Sequence, residues 1–151
     1  FWKIYTKGDT IPPQYLSNEA VIDKCLISEG AEIYGEVHNS VLGPNVVVGK
    51  GSVIRDSIIM GNVEIGEGVT MDKAIIAEDV KIGNNVVIGC GEEAENVLKP
   101  AVYSFGIATI GEKSVVPDNV KTGKNTAISG VTTAADYPEG QLASGQVIAK
   151  E

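Results

Sequence analysis

An aliphatic residue returns every six positions through much of the chain, often with glycine directly after it: Leu42-Gly43, Val48-Gly49, Ile65-Gly66, Ile82-Gly83, Ile88-Gly89 and Ile110-Gly111. A second small or β-branched residue follows four positions later, as in Val46, Ser52, Val69, Val86 and Ser114. An amphipathic helix needs partners at three and four, and a half-buried strand needs alternation, so the pattern fits neither. Six residues suffice for one short strand and one tight corner. Three such faces close a triangular coil around an aliphatic core, with glycine reaching corner conformations that a β-branched residue reaches only at a cost. The larger spacing supports this reading: Leu42, Ile59 and Ile76 recur at 17 positions, divided six, six and five through Val48 and Ile54, then through Ile65 and Met71. The preceding coil, from Ile27 through Ile33 to Leu42, is two residues shorter still.

The expected fold class is therefore all-β, a single-stranded parallel β-helix with one long loop excursion. The period stops over Gly89 to Gly106 and resumes with Ile110, Val116, Thr122 and Ile128. Connections of that length are often functional. Each coil buries its aliphatics only against its neighbours, at about 1.5–3 kcal/mol for each fully buried Ile, Val or Leu, so the ends need covering. The expected organisation is a linker and N-terminal cap over residues 1–20, the solenoid over 21–128 interrupted by the loop 89–106, and a C-terminal cap or tail over 129–151. Pro12-Pro13 predicts an extended, stiff lead-in.

Composition narrows the function. A chain of 151 residues with 43% hydrophobic residues supports one domain. Lys and Arg total 12 against 20 Asp and Glu, for a net charge of −8, so the surface repels phosphate backbones and anionic lipid. Nucleic acid and membrane are excluded as expected partners, and no apolar run approaches the roughly 20 residues of a membrane span. Cys25 and Cys90 lie apart with no Cys-x-x-Cys or Cys/His cluster, which fits a reducing cytoplasm and buried, inert thiols. Residues Phe1 to Tyr5 form neither a targeting segment nor a signal peptide. The chain is expected to be cut from a longer polypeptide whose other domain holds the chemistry.

The residues Trp2-Lys3-Ile4-Tyr5-Thr6, Ile11-Pro12-Pro13, Glu29-Gly30-Ala31 and Asn39-Ser40-Val41-Leu42-Gly43 carry a resemblance. It continues through Asp56-Ser57-Ile58-Ile59-Met60, Ala74-Ile75-Ile76, Gly106-Ile107-Ala108-Thr109-Ile110 and Val115-Val116-Pro117. In this order they resemble the C-terminal hexapeptide-repeat domain of the glucose-1-phosphate adenylyltransferases. The resemblance implies a left-handed solenoid, a hand that the spacing itself does not choose. It also implies a full-length enzyme that joins ATP and glucose 1-phosphate into ADP-glucose and pyrophosphate for glycogen synthesis. ATP and Mg²⁺ would belong to a separate N-terminal catalytic domain. The present domain would need no cofactor or metal and would hold no catalytic residue. It would serve contact with that domain, assembly of a homo- or hetero-tetramer, and a share of an allosteric effector site.

Regulated members commonly carry Lys or Arg just after the aliphatic pair matching Ile75-Ile76, and another after the stretch matching Ile107 to Ile110. Here those positions are Glu78 and Glu112, which repel a sugar bisphosphate, while Lys81 and Lys113 stand nearby as substitute cations. His38, the only histidine, opens an alternative: a stand-alone hexapeptide acyltransferase using it as general base on a coenzyme A thioester reaction. A further alternative is the assembly domain of another sugar-nucleotide pyrophosphorylase. The loop's Glu92, Glu93 and Glu95 lack the spacing of a calcium site, and with Lys99-Pro100 and Tyr103 they suit either contact with a neighbour or a mobile surface loop.

Overall fold

The computed structural model describes residues 10–150. The chain is a parallel β-solenoid of three faces. Face 1 stacks Tyr15–Leu16, Glu32–Ile33, Val47–Val48, Glu64–Ile65, Lys81–Ile82 and Val115–Val116. Face 2 runs from Val21–Asp23 through Glu36–His38, Val53–Arg55, Thr70–Asp72, Val87–Cys90 and Lys121–Gly123 to Gln141–Leu142. Face 3 runs from Leu26–Ile27 through Val41–Leu42, Ile58–Ile59, Ala74–Ile76, Ala108–Ile110 and Ala127–Ser129 to Val147–Ala149. The six-residue repeat is the inward position of each strand. Leu42, Ile59 and Ile76 are cross-strand partners on face 3, as are Val48 and Ile65 on face 1 and Ile54 and Met71 on face 2. All seven side chains are essentially inaccessible.

Two devices hold the corners. Asn45, Asn62, Asp79 and Lys113 share one corner position at φ between 56° and 58°. This left-handed conformation suits Asn and Asp better than most residues. The Asn45 Nδ2 donates to Asn62 Oδ1 and the Asn62 Nδ2 to Asp79 Oδ1, each at 3.0 Å. At other corners buried serines replace backbone partners: Ser52 Oγ donates to the Gly66 carbonyl at 2.7 Å and accepts the Val69 N–H at 3.0 Å. Buried backbone groups that turn away from the ladder are thereby satisfied.

The shortened coil is real and local. Ile33 and Val37 occupy the inward positions that Val48 and Ile54 occupy one coil later, so the two missing residues come out of the corner between faces 1 and 2. The stack reaches past both boundaries expected from the repeat. Tyr15–Leu16 already pairs with Glu32–Ile33, inside the stretch expected to be linker and cap. Gln141–Leu142 and Val147–Ala149 add a further turn inside the expected tail. The period is lost there because two short 3₁₀ turns, Ala134–Asp136 and Pro138–Gly140, intervene. Between them Tyr137 is buried against the core, with its hydroxyl 2.7 Å from Thr132 Oγ1. Cys25 and Cys90 are only partly buried, a correction to the expectation; each thiol lies near a backbone carbonyl, Val37 and Thr122 respectively, at 3.3 Å. The Trp2-to-Thr6 segment lies outside the described residues. Among the described residues no helix is long and apolar enough to cross a membrane.

Candidate functional site

The fold divides the four candidate effector residues into two groups. Glu78 and Glu112 follow face 3 strands one coil apart, so both fall at the corner that leads into face 1. The Lys113 N–H donates to the Glu78 carbonyl at 3.0 Å, which ties the two turns together. The Lys113 Nζ lies 2.8 Å from Glu112 Oε1, with both side chains largely exposed. Its pKa is raised, first by the hydrogen bond to Glu112, then by the negative charges of Glu112, Asp79 and Glu78. The corner thus presents three carboxylates around one ammonium, and that ammonium is already paired. An anion arriving here meets net negative charge.

Lys81 stands apart, on the outward side of face 1 directly opposite Glu64, with 3.3 Å between Nζ and Oε1. The pair sits in a shallow groove of about 510 Å³ whose other walls include Val47, Val115, Pro117 and Asp118. Glu64, Asp79 and the Asn45–Asn62 ladder were not singled out from the sequence. The signal was available, because Glu64 precedes Lys81 by the same 17 positions that separate Asn45 from Asn62.

His38 closes a face 2 strand, in register between Asp23 and Arg55, and its Nε2 lies 3.4 Å from Glu36 Oε2. It does not line the groove that holds Lys81. Among the described residues no three His, Cys, Asp or Glu side chains group to hold a metal ion, so neither the corner nor the loop's glutamates offer the oxygen-rich cage of a hard cation.

The loop is pinned to the next coil, which the sequence did not foretell. Asn125, buried at φ 55°, accepts the Gly106 N–H at 2.8 Å and donates to the Ala94 carbonyl at 2.9 Å and to Glu93 Oε1 at 3.2 Å. Asn96 returns the contact, donating to the Asn125 carbonyl at 2.8 Å while its Oδ1 accepts the Leu98 and Lys99 N–H groups. Ser144 holds the loop's start through the Glu92 carbonyl at 2.6 Å. The result is an ordered projection whose hydrophobic residues Val97, Leu98, Val102 and Phe105 face outward.

Comparison with known proteins agrees with this architecture. Residues 13–110 match the family described as GlmU-like, C-terminal hexapeptide. The glucose-1-phosphate adenylyltransferase of Lachnospira eligens is 64% identical over 150 residues, covering 99% of this chain and 36% of its own length. Those of Acetivibrio thermocellus and Thermotoga maritima are 44% and 48% identical over 149 and 147 residues, again across 35% of their length. The chain spans about a third of the length of the curated relatives it matches. It belongs to the GlmU-like C-terminal hexapeptide family, and along nearly all of its length it is homologous to the hexapeptide-repeat portion of glucose-1-phosphate adenylyltransferases.

Proposed function

We propose that this chain is the oligomerisation and allosteric-regulatory domain of a glucose-1-phosphate adenylyltransferase that works in the cytoplasm. The observation that carries the reading is the 64% identity to a relative of that name across 99% of this chain and 36% of the relative. The full-length reaction transfers the adenylyl group of ATP to the phosphate oxygen of glucose 1-phosphate and releases pyrophosphate. It calls for a nucleotide-binding loop and Mg²⁺, both assigned here to a separate catalytic domain. What this chain supplies is a stiff frame. Its inward ladders make each coil a support for the next, so the corners and the loop keep fixed spacings to whatever catalytic domain or tetramer partner they touch. Coupling between an effector and the distant chemistry then requires an element with two arrangements, biased by both sites.

The acidic corner bears on the effector. Glu78 and Glu112 stand where a phosphate-holding cation is expected from the resemblance, and the two neighbouring lysines are engaged with Glu112 and Glu64. A sugar bisphosphate is therefore not the expected activator of the unmodified enzyme. The test compares adenylyltransferase activity, with ATP and glucose 1-phosphate, for the full-length polypeptide, this chain alone, and the full-length Glu78→Lys/Glu112→Arg variant. The expected pattern is activity in the full-length form, none in the chain alone, and severalfold sugar-phosphate activation only in the charge-reversed variant. Activation of the unmodified enzyme by a sugar bisphosphate refutes the effector reading, and an inactive full-length polypeptide refutes the enzymatic one.

A further inference from the structure

We infer that the hollow between the loop and the last coil is a binding site for a small organic carboxylate, a compact apolar body ending in one carboxyl group, independent of the enzymatic reading. Thr109, Ala127 and Val147 form its floor, an outward ladder on face 3 in register across three coils. Leu98, Lys99 and Tyr103 of the loop complete the lining of a space of about 240 Å³. Ala127 lies on the outward side yet is only 7% exposed, the shelter of a floor rather than of an open face. The walls are fixed in place. The buried Asn96 Oδ1 accepts the Leu98 and Lys99 N–H groups at 3.0 and 2.9 Å, and the Lys99 carbonyl accepts those of Val102 and Tyr103. Lys99 and Tyr103 are thereby held in one turn. The Val97 N–H donates to the Gly145 carbonyl at 2.9 Å, tying the loop to the residues that lead into Val147. The hollow is thus completed by this chain's own segments and formed before a ligand arrives, which lowers the ordering cost of binding.

The charge of the lining selects the ligand. Lys99 is the one charged residue around the hollow, and among the described residues its ammonium has no ion-pair partner. Three comparable hollows on this acidic surface each set a carboxylate beside their lysine: Glu64 and Asp118 with Lys81, Asp56 with Lys73, and Glu19 with Lys50. An anion gains little there, whereas at Lys99 no carboxylate competes for the cation. One ammonium balances one negative charge, so a carboxylate is matched and a phosphate dianion is not. The Tyr103, Thr109 and Ser129 hydroxyls offer donors to the second carboxylate oxygen, and Leu98, Val147 and Ile148 supply apolar surface for the body. The space is smaller than the ~300–1,000 Å³ of sites for drug-sized ligands, which limits that body to a single ring or a short branched chain.

Amide NMR titration of this chain with benzoate tests the proposal, with benzyl alcohol as the neutral counterpart and inorganic phosphate as the anion without an apolar body. The expected result is saturable shifts at Lys99, Thr109, Ser129 and Val147 with one dissociation constant in the millimolar range. Lys99→Met, an exposed position whose change leaves the fold intact, weakens benzoate about tenfold. Benzyl alcohol binds about tenfold more weakly than benzoate, and phosphate does not saturate these amides. Benzoate shifts that fail to saturate, that saturate elsewhere on the surface, or that Lys99→Met leaves unchanged overturn the site. Benzyl alcohol binding as tightly as benzoate, or phosphate taking its place, overturns the ligand class. Benzoate binding kept by this chain but lost in the full-length polypeptide means that another domain fills the hollow, and overturns the site as well. None of these outcomes touches the enzymatic reading, which the adenylyltransferase assay decides.

Discussion

Replacing Thr122 by valine is expected to stabilise the solenoid. Thr122 occupies an inward position on face 2, in register with Ile88 and Leu142, and is 1% exposed. Its Oγ1 is buried without a hydrogen-bond partner. An unsatisfied buried hydroxyl costs about 1–3 kcal/mol, and valine keeps the branched shape while removing the polar atom. Thr122→Val should therefore gain about 1–3 kcal/mol, which for a chain of this size raises Tm by roughly 2–10 °C. The assay is urea unfolding, read as a higher midpoint at unchanged slope. Ser52→Ala is the matched control, because the Ser52 hydroxyl makes two hydrogen bonds, to the Gly66 carbonyl and from the Val69 N–H. It should lose about 1–3 kcal/mol. A Thr122→Val chain no more stable than its parent, or a Ser52→Ala chain that gains stability, refutes the reasoning that hydrogen-bond satisfaction decides the cost of these hydroxyls.

Asn125→Gly keeps the left-handed corner but removes the side chain that holds Gly106, Ala94 and Glu93; amide exchange at Gly106 should accelerate tenfold or more while the Ile54 and Met71 amides stay protected. Gly89→Ala places a methyl group at φ 83° against the Asp72 carbonyl and should lower stability by about 1–3 kcal/mol, measured by the same urea midpoint. Asp136 has its pKa lowered to about 2, first by the hydrogen bond from Lys150 and then by the Thr133 N–H. A depressed carboxyl contributes stability above its unfolded pKa of about 3.9 and loses it as the pH falls through the folded value. Lys150→Met should thus raise the Asp136 titration seen by carboxyl NMR, and narrow its stability gap to the parent between pH 4 and pH 2; a titration that does not move refutes the pairing.

The repeat made the stack legible because, inside it, sequence distance is spatial distance: 17 positions mean one coil up at the same place on the triangle. That rule yields the inward ladders of Leu42 and Val48, the two-residue deficit before Leu42, and in retrospect the Glu64–Lys81 pair. It fails wherever the chain leaves the period. Leu142 and Ile148 return to the inward ladders only after the detour through Tyr137, so the final turn reads as a tail. The Asn125 clamp joins residues of the loop that have no counterpart one coil away. Of the candidate effector residues, Glu78, Glu112 and Lys113 share a corner as their positions in the repeat imply, and Lys81 belongs to a flat face instead.

The loop's length carries a consequence of its own. Positions that meet across it, such as Asn85 with Asn119, lie 34 apart, twice the ordinary 17. A whole circuit of chain has been lifted out and folded back, while the strands above and below still pair in parallel, with a single register shift between Ile88 and Cys90 where the loop departs. In this architecture a length change is absorbed where it occurs, because each storey rests on the one beneath rather than on a count of residues. Insertions and deletions are thereby released from the geometry of the rest of the tower. The molecule can lengthen, trim or exchange a balcony at one corner while every other balcony keeps its height and bearing.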